Sequence, residues 1–191
     1  MPHIPTELRR QLFIDAALVV VARDGVDRAT TRRIAEEAGA PVATLHYCFH
    51  SKELLLWAVF EQLVGRVRDE VGDAAARAEG AGTMASRLLR QAVEWATACP
   101  ETYRAQLEIW FWAKRHDPEF AVRSYRLFMD TWRELLRDTR TPIPETELES
   151  MVHLLVGLAD GLCMQLVNDS DREATRRKVD MATTMLEAHL R

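Results

Sequence analysis

Two histidines and a cysteine fall within five residues in the stretch Leu45-His46-Tyr47-Cys48-Phe49-His50, the ligand types that bind transition metals. On a helix His46 and His50 lie four residues apart on one face, whereas Cys48 is rotated about 200° from His46. One ion cannot collect all three. The two histidines would still serve zinc with a third ligand, but no HExxH base or CxxC pair accompanies them. Cys48, Cys99 and Cys163 have no close-spaced partner. No metal and no cofactor is expected.

Another pattern uses every residue of the region. Two short helices that cross closely need a small residue at the crossing, a glycine at the turn four residues later and apolar anchors in the second helix. Ala35, Gly39, Leu45 and Cys48 fill those places. Cys48 then reads as a small buried hydrophobe, and Val42, Ala43, Thr44, His46 and Tyr47 form the second helix's outer face. Enzyme chemistry has no comparable support: the chain has no Gly-rich phosphate loop, no GxSxG and no acid, base and nucleophile set. It is not expected to be an enzyme.

The elements that must position this surface are helical throughout. Phe13, Ala16, Ala17, Val20 and Val21 make the stripe of a first helix that stops at Gly25. Thr30 or Thr31 caps a second helix with Ile34, Ala35 and Ala38 inside, and a third opens near Pro41. Ser51 caps a long fourth helix carrying Leu55, Val59 and Leu63. Further helices are expected over 84–98, 100–116, 118–138 with Asp117 as cap, and 145–168. The last begins with Ser170 and Glu173 as a capping box. The fold class is all-α, with about nine helices.

Residues 13 to 56, FIDAALVVVARDGVDRATTRRIAEEAGAPVATLHYCFHSKELLL, resemble the TetR family of transcriptional regulators in a continuous run. GLADGLCMQL, residues 157 to 166, resembles the penultimate helix of the betaine/choline-repressor type of regulatory domain. Ala40, Pro41, Val42 and His46 depart from the family's usual residues, which leaves the operator sequence open. The resemblance implies an N-terminal three-helix, helix-turn-helix DNA-binding domain over 1–56, followed by a helical ligand-binding and dimerisation domain over 57–191. It implies a ligand-responsive repressor that binds a palindromic operator as a homodimer and is released by a small molecule. The alternative is a constitutive DNA-binding regulator whose C-terminal body only dimerises.

A recognition helix turns its N-terminal residues to base edges in the major groove while the preceding helix crosses the backbone. The residues expected at DNA are therefore Thr30, Thr31 and Arg32 on phosphate, and Val42, Ala43 and Thr44 on bases. Tyr47 is expected on either, and His46 and Lys52 on phosphate. Residues 1 to 60 hold seven bases against seven acids, so the net charge of −4 arises beyond them. The run 28–52 has a local excess of two positive charges, which suits an anion-facing surface.

The segment 145–168 is apolar on two sides and must be covered on two sides. Val152, Leu155, Ala159, Leu162 and Leu166, with Val179, Ala182 and Leu186 of the last helix, are the candidate dimer residues, and Gly157 and Gly161 would permit close approach. Burial inside the subunit is the competing reading. Aromatics crowd the stretch 95–132. Ala121, Tyr125, Phe128, Trp132 and Leu135 make an ordinary core stripe. Trp110, Phe111 and Trp112 span about 200° and cannot all face one core. Candidate ligand-binding residues are Trp95, Tyr103, Glu108, Trp110, Phe111, Phe128, Trp132 and Asp160. The two acids sit in apolar sequence surroundings and would counter a cationic ligand or, more commonly, pair with an internal Arg; the expected effector is small and hydrophobic or cationic.

The apolar share of 48% and charged share of 28% are those of an ordinary globular chain. An odd number of unpaired cysteines, charges where a signal peptide needs an apolar run, and no window near the roughly 20 apolar residues of a span predict a cytoplasmic protein without a membrane partner. Its expected partners are double-stranded operator DNA, a second copy of itself and an effector. Twenty-two Arg against three Lys suit a GC-rich bacterial genome.

Overall fold

The computed structural model describes residues 5–75, 80–169 and 171–190, and every regular element among them is an α-helix. α1 (Thr6–Asp24) buries Phe13, Ile14, Ala16, Ala17, Val20 and Val21 and stops at Gly25, whose N–H bonds to the Val21 carbonyl. Gly25 has φ of 80°, a region that strains residues bearing a Cβ. α2 (Thr31–Glu37) is capped by Thr30, whose hydroxyl accepts the Arg33 N–H at 3.3 Å. The chain turns at Gly39, with φ of 60°, into α3 (Val42–Cys48), for which Pro41 is the N-cap. Ser51 accepts from the Leu54 N–H and opens α4 (Lys52–Ala75).

The remaining elements are α5 (Ala81–Ala98), α6 (Pro100–His116), α7 (Pro118–Arg137), α8 (Glu145–Asp169) and α9 (Arg172–His189). α5 starts three residues ahead of the expected Met84. Asp117 caps α7 through the Phe120 N–H at 3.0 Å. Ser170 lies outside the described residues; the cap of α9 is Asp171, which accepts from the Ala174 N–H at 2.9 Å.

Two compact units result: residues 1–63 with 101–125, and residues 64–100 with 126–191. In the first, α1, α2 and α3 pack around Phe13, Ala17, Val20, Ile34, Ala35, Leu45 and Phe49, all closed to solvent. α4 and α7 meet there at Trp57, which takes the Phe120 ring edge-on at 5.4 Å and the Arg123 guanidinium at 3.6 Å.

In the second unit α5 lies along both α8 and α9. A Cβ on Gly82 would stand 3.2 Å from the Glu187 backbone, so α5 and α9 touch closely there. Arg90 pairs with Asp180, Arg133 with Glu149 and Arg137 with Glu145. The expected dimer stripe is corrected here. Val152, Leu155, Ala159, Leu162 and Leu166 face their own unit's core, as do Val179 and Leu186, with Ala182 half-buried. On α8 both sides are apolar, and regular spacing marks a core as readily as an interface. The side left uncovered carries Leu154 (64% exposed), Leu158 and Met164, with Met181 (69%) and Met185 on α9.

Two smaller expectations also change. Tyr125 is exposed, so the core stripe of α7 runs instead through Phe120, Ala121, Ser124, Thr131, Trp132 and Leu135. By length and composition Glu145–Asn168 is apolar enough to cross a membrane, with mean hydropathy 1.5, contrary to the expectation that no window comes near. Both the core stripe and the uncovered apolar side of that helix contribute to its hydropathy.

Gly25 is restricted twice, because a Cβ there would also lie 3.1 Å from Glu108 Oε2. Gly65, in the interior of α4, has nothing within 4 Å of such an atom. In denaturant titrations Gly25→Ala should destabilise by about 1–2 kcal/mol, whereas Gly65→Ala should stabilise by about 0.5–1 kcal/mol.

Candidate nucleic-acid interface

α3 turns Leu45 and Cys48 inward, packed against α1 and α2. Its other side is open: Tyr47 is 73% exposed, Ala43 and His46 are exposed, and Val42 and Thr44 are half-covered. The helix is only seven residues long, so external groups must hold its ends. Arg10 of α1 donates to the Cys48 carbonyl at 2.6 Å and stacks 4.2 Å from the Phe49 ring. A cation thus satisfies an orphan carbonyl at the negative end of the helix. Nothing in the local sequence signals this role, since Arg10 and Cys48 are 38 residues apart.

At the start of α2, Thr30 and Arg32 are exposed and Thr31 half-buried. The surrounding charges form a surface network: Arg32–Glu36 at 3.1 Å, Arg23–Glu37 at 2.9 Å, Arg23–Asp24 at 3.2 Å and Arg33–Asp24 at 3.6 Å. The Arg23 hydrogen bond holds the Asp24 carboxyl below its ordinary range and raises Arg23 in turn. Exposed pairs of this kind stabilise little.

Lys52 is placed differently from a solvated point charge. Its Nζ donates to the Val26 carbonyl at 2.6 Å and stands 5.5 Å from the Trp112 ring centroid. Burial pushes the Lys52 ammonium below its ordinary value, against the opposing pull of Asp27 and Glu53. Glu108 Oε2 accepts the Val26 N–H at 3.3 Å.

The candidate ligand residues divide between the two units. In the first, Tyr103 is buried, Trp110 half-buried and Phe111 exposed, with Trp110 edge-on to Phe111 at 5.1 Å and tilted toward Tyr125 at 6.3 Å. Trp112 is buried, so the three consecutive aromatics do face different surroundings. In the second, Trp95 and Phe128 are half-buried, Trp132 is fully buried 5.0 Å from Phe128, and Asp160 is exposed. Of the two acids expected in apolar surroundings, Glu108 is half-buried and accepts a backbone amide, whereas Asp160 is exposed on α8, which corrects that expectation for Asp160. The indole N–H groups of Trp110 and Trp132 are buried and have no acceptor among the described residues.

His46 and His50 are exposed while Cys48 is buried, and among the described residues no three His, Cys, Asp or Glu side chains gather as a metal site. Residues 13–59 match the family described as bacterial regulatory proteins, tetR family. The chain is 29% identical to the HTH-type nicotine-responsive transcriptional repressor HdnoR of Paenarthrobacter nicotinovorans, over 98% of this chain and 97% of that protein. It is 30% identical to the HTH-type transcriptional regulator BetI of Rhizobium meliloti, over 100% of this chain and 94% of that one. Among solved structures, the multidrug binding protein EbrR complexed with ethidium superposes with a TM-score of 0.73 at 23% identity, covering 96% of this chain and 99% of that one.

The burial of Cys48 and Cys163, against the half-buried Cys99, is directly measurable. Titration with a thiol reagent should modify Cys99 in the folded protein and reach Cys48 and Cys163 only in denaturant. Fast modification of Cys48 in the native state would contradict the inward face assigned to α3.

Proposed function

The chain belongs to the TetR family of bacterial regulatory proteins, a family of transcriptional regulators and not of enzymes, and we propose that it represses transcription by binding a palindromic operator as a homodimer and leaves that operator when a small molecule binds. The carrying observation is the outer side of α3, where Tyr47, His46 and Ala43 project from a helix whose anchors are all on the other side. Val42, Ala43 and Thr44 meet base edges, with thymine methyls the natural target for the first two. Thr30, Thr31, Arg32 and His46 fix register on phosphates. Tyr47 contacts base or backbone. In this reading residues 1–56 are the DNA-binding domain and 57–191 the regulatory domain, and the protein works in the bacterial cytoplasm.

Few basic side chains per subunit face the duplex, and phosphate neutralisation supplies much of DNA affinity. Two subunits on a two-fold axis double that number and place two recognition helices on half-sites one turn, or a multiple, apart. The uncovered apolar side of α8 and α9, with Leu154, Leu158, Met164, Met181 and Met185 beside the open glycines Gly157 and Gly161, supports a surface that a second copy covers.

The effector is a small hydrophobic or cationic molecule. Buried indole N–H groups without acceptors are costly, and an acceptor-bearing ligand beside Phe128 and Trp132 would relieve one of them. The nicotine-responsive relative and the ethidium complex of a similar fold support the chemical class. A ligand shifts operator binding only by the difference of its affinities for the two conformations. α4, which begins in one compact unit and ends in the other, is the element to transmit it.

Selection of bound fragments from genomic DNA should return a palindrome. Tyr47→Ala should weaken binding to that fragment by roughly tenfold, the cost of one good contact, with an unchanged unfolding midpoint; an unaltered isotherm would remove Tyr47 from the interface. Leu158→Glu should leave the helical content intact and convert the sedimenting species from dimer to monomer, and a dimer that survives it would move the interface elsewhere.

A further inference from the structure

Val26 is gripped at both ends of its backbone. Its N–H donates to Glu108 Oε2 at 3.3 Å, its carbonyl accepts from Lys52 Nζ at 2.6 Å, and the residue is 3% exposed. The two side chains carry opposite formal charges and come from different helices, Glu108 from α6 and Lys52 from the first residue of α4. Trp112, whose ring lies 5.5 Å from that ammonium, follows Glu108 by four residues. One face of α6 therefore supplies both the carboxylate and the aromatic surface.

The gripped segment is the connection from α1 to α2. Gly25 precedes it at φ of 80°, and the carbonyls of Gly25 and Val26 both accept the Ala29 N–H at 3.1 Å, one residue before the Thr30 cap. Where Val26 sits fixes where α2 begins, and α2 crosses α3. We propose that Lys52 and Glu108 are a coupled pair of positioning residues for operator binding, acting through Val26, and that Lys52 is not a phosphate contact.

The chemistry favours the inward role. For Lys52 to reach a phosphate, its charge-assisted bond to the Val26 carbonyl must break, and the carbonyl of a closed residue would keep only the Ala29 N–H. The depressed ammonium agrees with a side chain removed from bulk water. Any shift of α6 carries Glu108 and Trp112 together and is felt at one residue, Val26. This is a route by which the regulatory part of the chain reaches the recognition helix without touching DNA.

The proposal rests on the operator-binding reading, and two measurements on the full-length protein separate them. With the duplex that the parent protein selects from genomic DNA, Lys52→Met and Glu108→Gln should each weaken binding by roughly tenfold at every salt concentration. The slope of log affinity against log salt should stay at the parent value, and the double variant should bind no more weakly than the weaker single one. A Lys52→Met slope shallower by about one unit, the mark of a lost phosphate contact, or losses that multiply in the double variant, would overturn it. Hydrogen exchange on the DNA-free protein reads the grip itself: Glu108→Ala should speed exchange of the Val26 amide at least tenfold while the α1 core amides keep their protection, and unchanged protection at Val26 would overturn the proposal. If the parent selects no duplex, the operator reading fails, while the exchange result still decides whether the grip exists.

Discussion

A seven-residue helix has no stability of its own, because nucleation fixes several residues before propagation rewards them. That constraint organises the first compact unit. α3 exists because Leu45 and Cys48 are buried, Phe49 closes the end, and Arg10 takes its last carbonyl. Burying the Leu45 side chain alone contributes about 1.5–3 kcal/mol, more than the intrinsic helix propensities of such a short segment can supply. All of this stabilisation comes from one side. On the other side Ala43, His46 and Tyr47 are exposed and take no part in that packing.

Holding α3 from behind transfers the demand for rigidity to its supports. α2 must start at a fixed place, and Thr30, Gly39 and the connection around Val26 fix its two ends. The connection is too short to build its own core, so it borrows a carboxylate from α6 and an ammonium from α4. The first unit accordingly contains residues 101–125 as well as 1–63. α1, α2 and α3 are consecutive in sequence, but the compact unit that contains them includes a later segment of the chain.

Much of this was legible in the sequence, for reasons that differ by residue. Thr30, Ser51 and Asp117 announce themselves as caps because a cap acts on a group two or three positions away. Leu45, Cys48 and Ala35 show their burial through helical spacing, and the continuous resemblance over residues 13–56 adds the purpose of the outer face. Glu108 and Lys52 stand out in the sequence as charges, but their common partner Val26 lies 82 and 26 residues away and no local pattern points to it. Arg10 was invisible for the same reason. On α8 the difficulty was different: both sides are apolar, and periodicity alone cannot say which one meets the subunit's own α5 and α9. Exposure decides it, leaving Leu154 and Leu158 outside and Val152 and Leu155 inside.

That outer side tests how far apolar area alone can drive association. Fully burying a Leu or Met contributes about 1.5–3 kcal/mol, but Leu154, Leu158, Met181 and Met185 are already partly covered, so about half that is available from each. Across two subunits the eight side chains then offer roughly 6–12 kcal/mol, within the range of about 4–15 kcal/mol that association costs in lost freedom and ordering. Apolar burial is therefore not a sufficient explanation of a tight dimer. In the proposed dimer the glycines would change the balance: at Gly157 and Gly161 the helix surface has no Cβ and nothing near it, which would let a partner helix approach to backbone contact and add dispersion along its length. A substituent at either position would hold the helices apart and return the pair to the marginal regime, even though both positions stand open to solvent in the single chain.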